Sequence, residues 1–143
     1  MIDQSALEAD QRVVWTEDVL RYGDTDANGH INNSTYSVLC ESGRVNLFQT
    51  RLVPLMPEGH YFVIVRLSIE FKAELFYPGT VRTATWLSRV GRTSMSVEQA
   101  LFGGGTLAAT SEGVCVVMDA ATRRPTPIPE AARAVVEGML RGG

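Results

Sequence analysis

The stretch Arg21-Tyr22-Gly23-Asp24-Thr25-Asp26-Ala27-Asn28-Gly29-His30-Ile31-Asn32-Asn33-Ser34-Thr35-Tyr36 joins two kinds of structure, and the rest of the chain can be read outward from it. Its first residues end a run, Arg12 to Tyr22, whose β-branched and aromatic side chains suit a strand. Gly23 to Gly29 is dense in turn formers. Asn32, Asn33 or Ser34 then offers a side chain to cap a helix. Tyr36, Leu39, Cys40, Gly43 and Leu47 follow at i, i+3, i+4, i+7 and i+11, one face of a 3.6-residue period. Pro54 and Pro57 lie beyond its end. Gly43 on that inner face implies that another element, a crossing sheet, comes very close. Upstream, residues 1–11 are polar and read as a loose segment.

Downstream the period changes. Val63, Val65, Leu67, Ile69, Phe71 and Ala73 alternate with Ile64, Arg66, Ser68, Glu70 and Lys72, the pattern of a long strand with one polar face. Pro78-Gly79 turns the chain into Thr80 to Val90, and Gly91-Arg92 turns it into Ser94 to Phe102. Gly103-Gly104-Gly105 leads to Thr106 to Met118. Connections this short imply antiparallel hairpins. Pro129 opens a final helix with an apolar stripe of Ala132, Val135, Val136, Met139 and Leu140. The predicted fold class is α+β: a five-stranded antiparallel sheet curved around one long helix, with a short C-terminal helix. Residues 1–143 form one domain. The sheet's other face, with Thr80, Arg82, Ser94, Ser96 and Glu98, is left to solvent or to an oligomer contact.

Composition bounds the function. With 143 residues, 45% apolar and 20% charged, the chain can bury a core without metal or disulfide staples. No run approaches the roughly 18 apolar residues of a membrane span. A net charge of -3 argues against a protein that binds nucleic acid through phosphate contacts. Cys40 and Cys115 lie far apart in apolar patterns and read as reduced buried thiols. Two histidines and two scattered cysteines make a metal site improbable. Met1 to Gln4 shows no basic-then-apolar leader, so the expected compartment is the cytoplasm.

A helix start presents unpaired N–H groups and a partial positive charge. It can polarise a carbonyl and hold an oxyanion. A carboxylate just upstream could act on the same carbonyl carbon, as nucleophile or as general base on water. His30 adds a donor or acceptor near neutral pH. Asp24 and Asp26 suit Asx turns and caps equally well, and on spacing alone that reading stands beside the catalytic one.

The same residues carry a family resemblance. Tyr22-Gly23-Asp24-Thr25-Asp26-Ala27, then Gly29-His30-Ile31-Asn32-Asn33 and Tyr36, resemble the signature of the hotdog-fold acyl-CoA thioesterases, in the 4-hydroxybenzoyl-CoA thioesterase-like branch. Arg66 to Ala73 resembles that family's central strand. Pro78 to Val81, Val90 to Ser94 and Arg124 to Pro129 resemble its later turns in order. Asn28 stands where several members carry a bulkier residue.

The resemblance implies hydrolysis of an acyl-coenzyme A thioester to a free acid and a thiol, with no cofactor beyond the coenzyme A of the substrate. It assigns the catalytic carboxylate to Asp26 and the carbonyl-polarising N–H to Asn33. Asp24 would orient the turn, and His30 and Asn32 would position thioester or water. Arg92 is the leading contact for the coenzyme A phosphates, with Arg89 and Lys72 secondary and Arg123 and Arg124 weaker. Tyr36, Phe62 and Ile64 are candidates for the acyl slot. Glu41, on the helix, is the rival catalytic carboxylate. Alternatives on the same fold are a hydratase or dehydratase and a module that binds acyl-CoA without turning it over. An acyl-carrier thioester is a further possible substrate. The resemblance also implies a homodimer, or a dimer of dimers, with each site completed by the neighbouring chain.

Overall fold

The computed structural model describes residues 2–142. In chain order the elements are α1 (Gln4–Ala9), β1 (Val14–Leu20), α2 (Asn33–Leu47), β2 (His60–Phe71), β3 (Gly79–Val90), β4 (Ser94–Gly103), β5 (Thr106–Asp119), β6 (Arg124–Pro125) and α3 (Glu130–Met139). The strands form an antiparallel sheet in the order β1-β3-β4-β5-β2, with the two-residue β6 on β5. A turn of 3-10 helix, Tyr22–Asp24, follows β1, so the first strand ends earlier than its composition suggested. Among the described residues, no helix is long and apolar enough to cross a membrane.

The predicted face of α2 is the buried one: Tyr36, Leu39, Cys40, Gly43 and Leu47 all lie inside. The helix crosses the sheet at Gly43. A Cβ there would sit 2.6 Å from Thr85 Oγ1 and 2.7 Å from Gln99 Nε2. Gln99 is buried, and its Nε2 donates to the Cys40 carbonyl at 2.8 Å and to Thr85 Oγ1 at 2.9 Å. This satisfied polar pair fixes the crossing point within an apolar core. The C-terminal helix buries Ala132, Val136 and Met139 against Leu47, Phe48, Leu52 and Leu87. Pro129 is its N-cap rather than its first turn.

Two expectations change. The alternation along β2 breaks at Val65, where the register with β5 shifts between Ile64 and Arg66. This bulge puts Phe62 and Ile64, opposite buried Val117 and Cys115, on the same face as Leu67, Ile69 and Phe71. Val63 therefore does not share that face, and Val65 is 61% exposed.

The N-terminal segment, read as loose, forms α1. Asp3 caps it by accepting from Ser5 N–H at 3.0 Å, and Leu7 is buried. With Val13, it covers Ala84, Trp86, Ala100 and Phe102 on the outer sheet face. Asp10 ties the segment down through Arg12 and Arg141, whose hydrogen bonds hold its carboxyl well below the usual range. The outer face is thus neither all solvent nor all free for a partner.

Candidate active site

The loop between β1 and α2 is built by its own backbone. Asp26 N–H donates to the His30 carbonyl at 2.8 Å, Gly29 N–H donates to the Asp26 carbonyl at 3.1 Å, and Thr25 and Ile31 form a bridge. Gly29 takes φ +81°, a left-handed conformation that costs glycine little. Ile31 N–H donates to the Leu75 carbonyl at 2.8 Å, which pins the loop to the segment after β2.

The two carboxylates divide as the chemistry requires. Asp24 is buried and accepts from Arg21 N–H at 2.8 Å and from the Arg21 guanidinium at 3.0 Å. These bonds hold its carboxyl below the ordinary value. It is a structural anchor. Asp26 is half-buried, and its Oδ1 accepts from Asn28 N–H at 2.9 Å and His30 N–H at 3.2 Å. Its Oδ2 has no hydrogen-bond partner among the described residues. The Asx-turn contacts of Asp26 therefore occupy one oxygen and leave the other unbonded.

Asn32, not Asn33, caps α2: its Oδ1 accepts from Ser34 N–H at 2.9 Å and Ser34 Oγ at 3.0 Å. Asn33 is the first helical residue, and its N–H finds no acceptor among the described residues, as expected at that position. A cleft of about 280 Å³ is lined by Asp26, His30, Ile31, Asn33, Tyr36, Phe71, Lys72, Ala73 and Glu74.

Each remaining group has a place in it. Tyr36 OH donates to the Ala73 carbonyl at 3.2 Å, and burial pushes its phenol up. His30 Nδ1 lies 3.5 Å from Glu74 Oε1, and its ring meets Phe76 edge-on at 5.2 Å. Lys72 pairs with Glu70 at 3.0 Å.

The other predicted residues lie elsewhere. Phe62, Ile64 and Glu41 line a second cavity of about 110 Å³ farther along α2. Arg89 faces an outer depression with Arg66, Glu98 and Glu112. Arg92 is exposed in the β3–β4 turn, at the end of the sheet opposite Asp26, where its carbonyl accepts from Ile128 N–H. Arg123 (φ 57°) and Arg124 lie near the same end, after β5. Sequence reading missed Phe71, the last residue of β2, and Glu74, in the segment after it, both of which line the cleft. Among the described residues, no three His, Cys, Asp or Glu side chains cluster to hold a metal ion.

The model of the thioesterase-like superfamily matches residues 20–136. No curated protein matches the sequence. Among solved structures, a predicted thioesterase from Bacillus stearothermophilus is 28% identical, with a TM-score of 0.83 over 92% of this chain and 98% of its own. A thioesterase from Thermus thermophilus, solved with coenzyme A and Zn, is 27% identical, with a TM-score of 0.78 over 90% and 93%. DHNA-CoA thioesterase from Staphylococcus aureus shares the fold, at 22% identity and a TM-score of 0.79 over 89% and 92%.

Proposed function

The chain belongs to the thioesterase-like superfamily and is a thioester hydrolase of the hotdog fold, and on that premise we propose that Asp26 and the helix start at Asn33 form the centre that cleaves an acyl-coenzyme A thioester. The observation that carries this reading is the free Oδ2 of Asp26 lining one cleft with the unpartnered N–H of Asn33.

The thioester carbonyl oxygen accepts from Asn33 N–H, where the helix end also favours negative charge. Asp26 Oδ2 then does one of two things. It adds to the carbonyl carbon, giving an acyl-aspartyl anhydride that water opens, or it takes a proton from the water that adds. In both routes the tetrahedral oxyanion sits at Asn33, the C–S bond breaks, and the coenzyme A thiolate leaves and is protonated. One water is consumed, and one acid and one thiol are released. His30, braced by Glu74 and Phe76, borders the reacting group, and Tyr36 and Phe71 form its floor. Asn32 acts through the cap that sets the direction of Asn33. No further cofactor enters the scheme.

The coenzyme A phosphates need cations. Lys72 stands in the cleft, whereas Arg92 is at the far end of the same sheet. Two copies paired antiparallel through the free edge of β2 bring the Arg92 end of one beside the Asp26 end of the other. The exposed apolar side chains Val38, Val45, Ile64, Val65 and Phe71 along α2 and β2 support that dimer. A dimer of dimers would need further contacts, away from the outer face that α1 covers. Acyl-carrier thioesters are a second substrate class for the same cleft. The two buried unpaired cysteines suit a cytoplasmic location.

The test is thiol release from a panel of short, long and aromatic acyl-CoAs. Asp26→Asn should lower turnover by about 10² to 10⁴. Glu41→Gln should not, since Glu41 lines the other cavity. Binding without thiol release would point to a ligand-binding module. Single-turnover hydrolysis in oxygen-18 water identifies the anhydride route when water opens it at the Asp26 carboxyl carbon, since an unlabelled Asp26 oxygen then enters the acid and the label enters Asp26. Opening at the acyl carbon labels the acid as the general-base route does, and trapping of the acyl group by hydroxylamine then reports the anhydride.

A further inference from the structure

The groove between α2 and β2 has two ends. Tyr36 meets Phe71 at 5.0 Å at the Asp26 end, and Phe48 stacks on Phe62 at 4.3 Å at the other. The far end forms the second cavity, lined by Glu41, Arg44, Val45, Phe48, Phe62, Val63, Ile64 and Cys115. Arg44 stands out there. It is only 6% exposed, and its Nη1 is fully buried without a hydrogen-bond partner. Among the described residues, no carboxylate lies within 4 Å of its guanidinium. Glu41 shares the cavity but is exposed and unpaired with it. The neighbouring thiols supply no counter-charge: burial pushes Cys115 up to about 11 and Cys40 upward, so both are protonated. Buried cations in proteins are paired, because an uncompensated charge out of water is costly.

We propose that Arg44 receives a carboxylate at the distal end of the acyl group, so that the enzyme prefers acyl-CoA substrates whose chain ends in a second acid. This rests on the thioesterase reading and names its substrate class. Eleven residues of helix separate Asn33 from Arg44, about 16 Å at 1.5 Å each. Leu67 and Ile69 lie between the two cavities on the β2 face that carries Ile64 and Phe71, and a medium-length chain held with its thioester at Asn33 would run along them toward the guanidinium. A carboxylate matches the planar fork of arginine with two parallel hydrogen bonds.

The experiment compares octanoyl-CoA with its terminal-carboxylate counterpart, the mono-coenzyme A thioester of octanedioic acid, in wild type and Arg44→Met. The wild type should favour the terminal carboxylate in kcat/KM by at least about tenfold, the scale of one charge-assisted bond. Arg44→Met should lower that ratio by the same factor. A wild-type ratio at or below one overturns the proposal without any variant.

Thermal shift with free octanedioate and octanoate reads the same contact without turnover. Octanedioate should raise the melting temperature of wild type more than octanoate does, and equal shifts overturn the proposal. Absence of thiol release from both thioesters would sink the hydrolase reading while this arm still decides on Arg44. The ligand-free Arg44→Met protein should melt higher than wild type, since it loses an unpaired buried charge. If it melts lower and its dimer dissociates on gel filtration, a carboxylate of a second copy holds Arg44 and the proposal fails.

Discussion

The two ends of the groove between α2 and β2 handle charge in opposite ways. At the N-terminal end the loop settles its own charges first. Asp24 is neutralised by Arg21, and one oxygen of Asp26 is held by two backbone N–H groups. What remains unspent, Asp26 Oδ2 and Asn33 N–H, is a small set aimed into one cleft. At the other end no carboxylate among the described residues pairs with Arg44, and apart from Glu41 and Cys115 the cavity lining around it is aromatic and aliphatic. A group that is satisfied internally explains the fold, and one left free beside a cavity points to a ligand. The pair Asp24 and Asp26, two residues apart, teaches this most clearly. They are the same residue type in the same turn, yet only Asp26 keeps an oxygen without a hydrogen-bond partner among the described residues.

The contrast breaks most sharply at Asn33. If its backbone N–H is the oxyanion donor, the side chain is irrelevant and the hydrogen is everything. Asn33→Pro removes that hydrogen together with the side chain, and Asn33→Ala controls for the side chain. Proline fits the first helical position, and the preceding Asn32, at φ -58° and ψ 138°, already has the extended conformation that proline demands of its neighbour. Asn33→Pro should therefore fold with a near-normal melting temperature and lose about 10² to 10³ in kcat. Asn33→Ala, which keeps the N–H, should retain activity within a few-fold. Equal activity of the two variants in a thiol-release assay would remove Asn33 from the mechanism.

A second intervention acts between the two ends. Gly43 is where α2 and the sheet touch, and both ends of the groove depend on that distance. Gly43→Ala gains helix propensity of about 1 kcal/mol. Its Cβ, however, would collide with Thr85 and Gln99, which are buried and hydrogen-bonded to each other. The net result should be a loss of about 1–3 kcal/mol, read as a lower urea midpoint with an unchanged slope.

These same places show what sequence can and cannot reveal. The inner face of α2 was legible because an amphipathic helix repeats its pattern for four turns. Gly43 was legible because a glycine inside such a stripe has few other uses. The β2 faces were not, since one extra residue at Val65 reverses the alternation and leaves no mark in composition. Helix α1 was hidden because it buries one large residue, Leu7, in six. Asp26, His30, Asn33 and Tyr36 were named together through the family resemblance, and they line one cleft because all lie within one loop and helix start. The positions of Arg92 and Arg89 relative to that cleft were not legible, since sequence does not say which end of a sheet a turn reaches or which face a strand residue takes. Arg44 did leave a signal: it lies four residues after Cys40, inside the apolar stripe, where a solvated arginine has no place.

The cap sharpens the comparison at lower energy. Asn32, rather than its neighbour, bonds the helix start, so Asn32→Ala should cost about 0.5–2 kcal/mol of stability. The same change at Asn33 should cost far less. Chemical denaturation of the two variants, run side by side, separates capping from the oxyanion role within two adjacent asparagines.

The smallest expected effect concerns Asp24, the satisfied member of the carboxylate pair. Arg21 lowers its folded-state pKa, so the stabilisation is fully present above the unfolded value of about 3.9 and is lost as pH falls through the lower folded value. Arg21 is mostly exposed, which screens the pair, so the contribution should be small. Asp24→Asn should thus melt slightly lower than wild type near neutral pH. The two melting curves should converge as the medium is acidified below about pH 4. Asp10, held low by Arg12 and Arg141, contributes to acid sensitivity in both proteins and cancels from the difference. A gap that instead widened toward acid would mean that Asp24 is stabilised in its protonated form, and the division of labour between Asp24 and Asp26 would have to be redrawn.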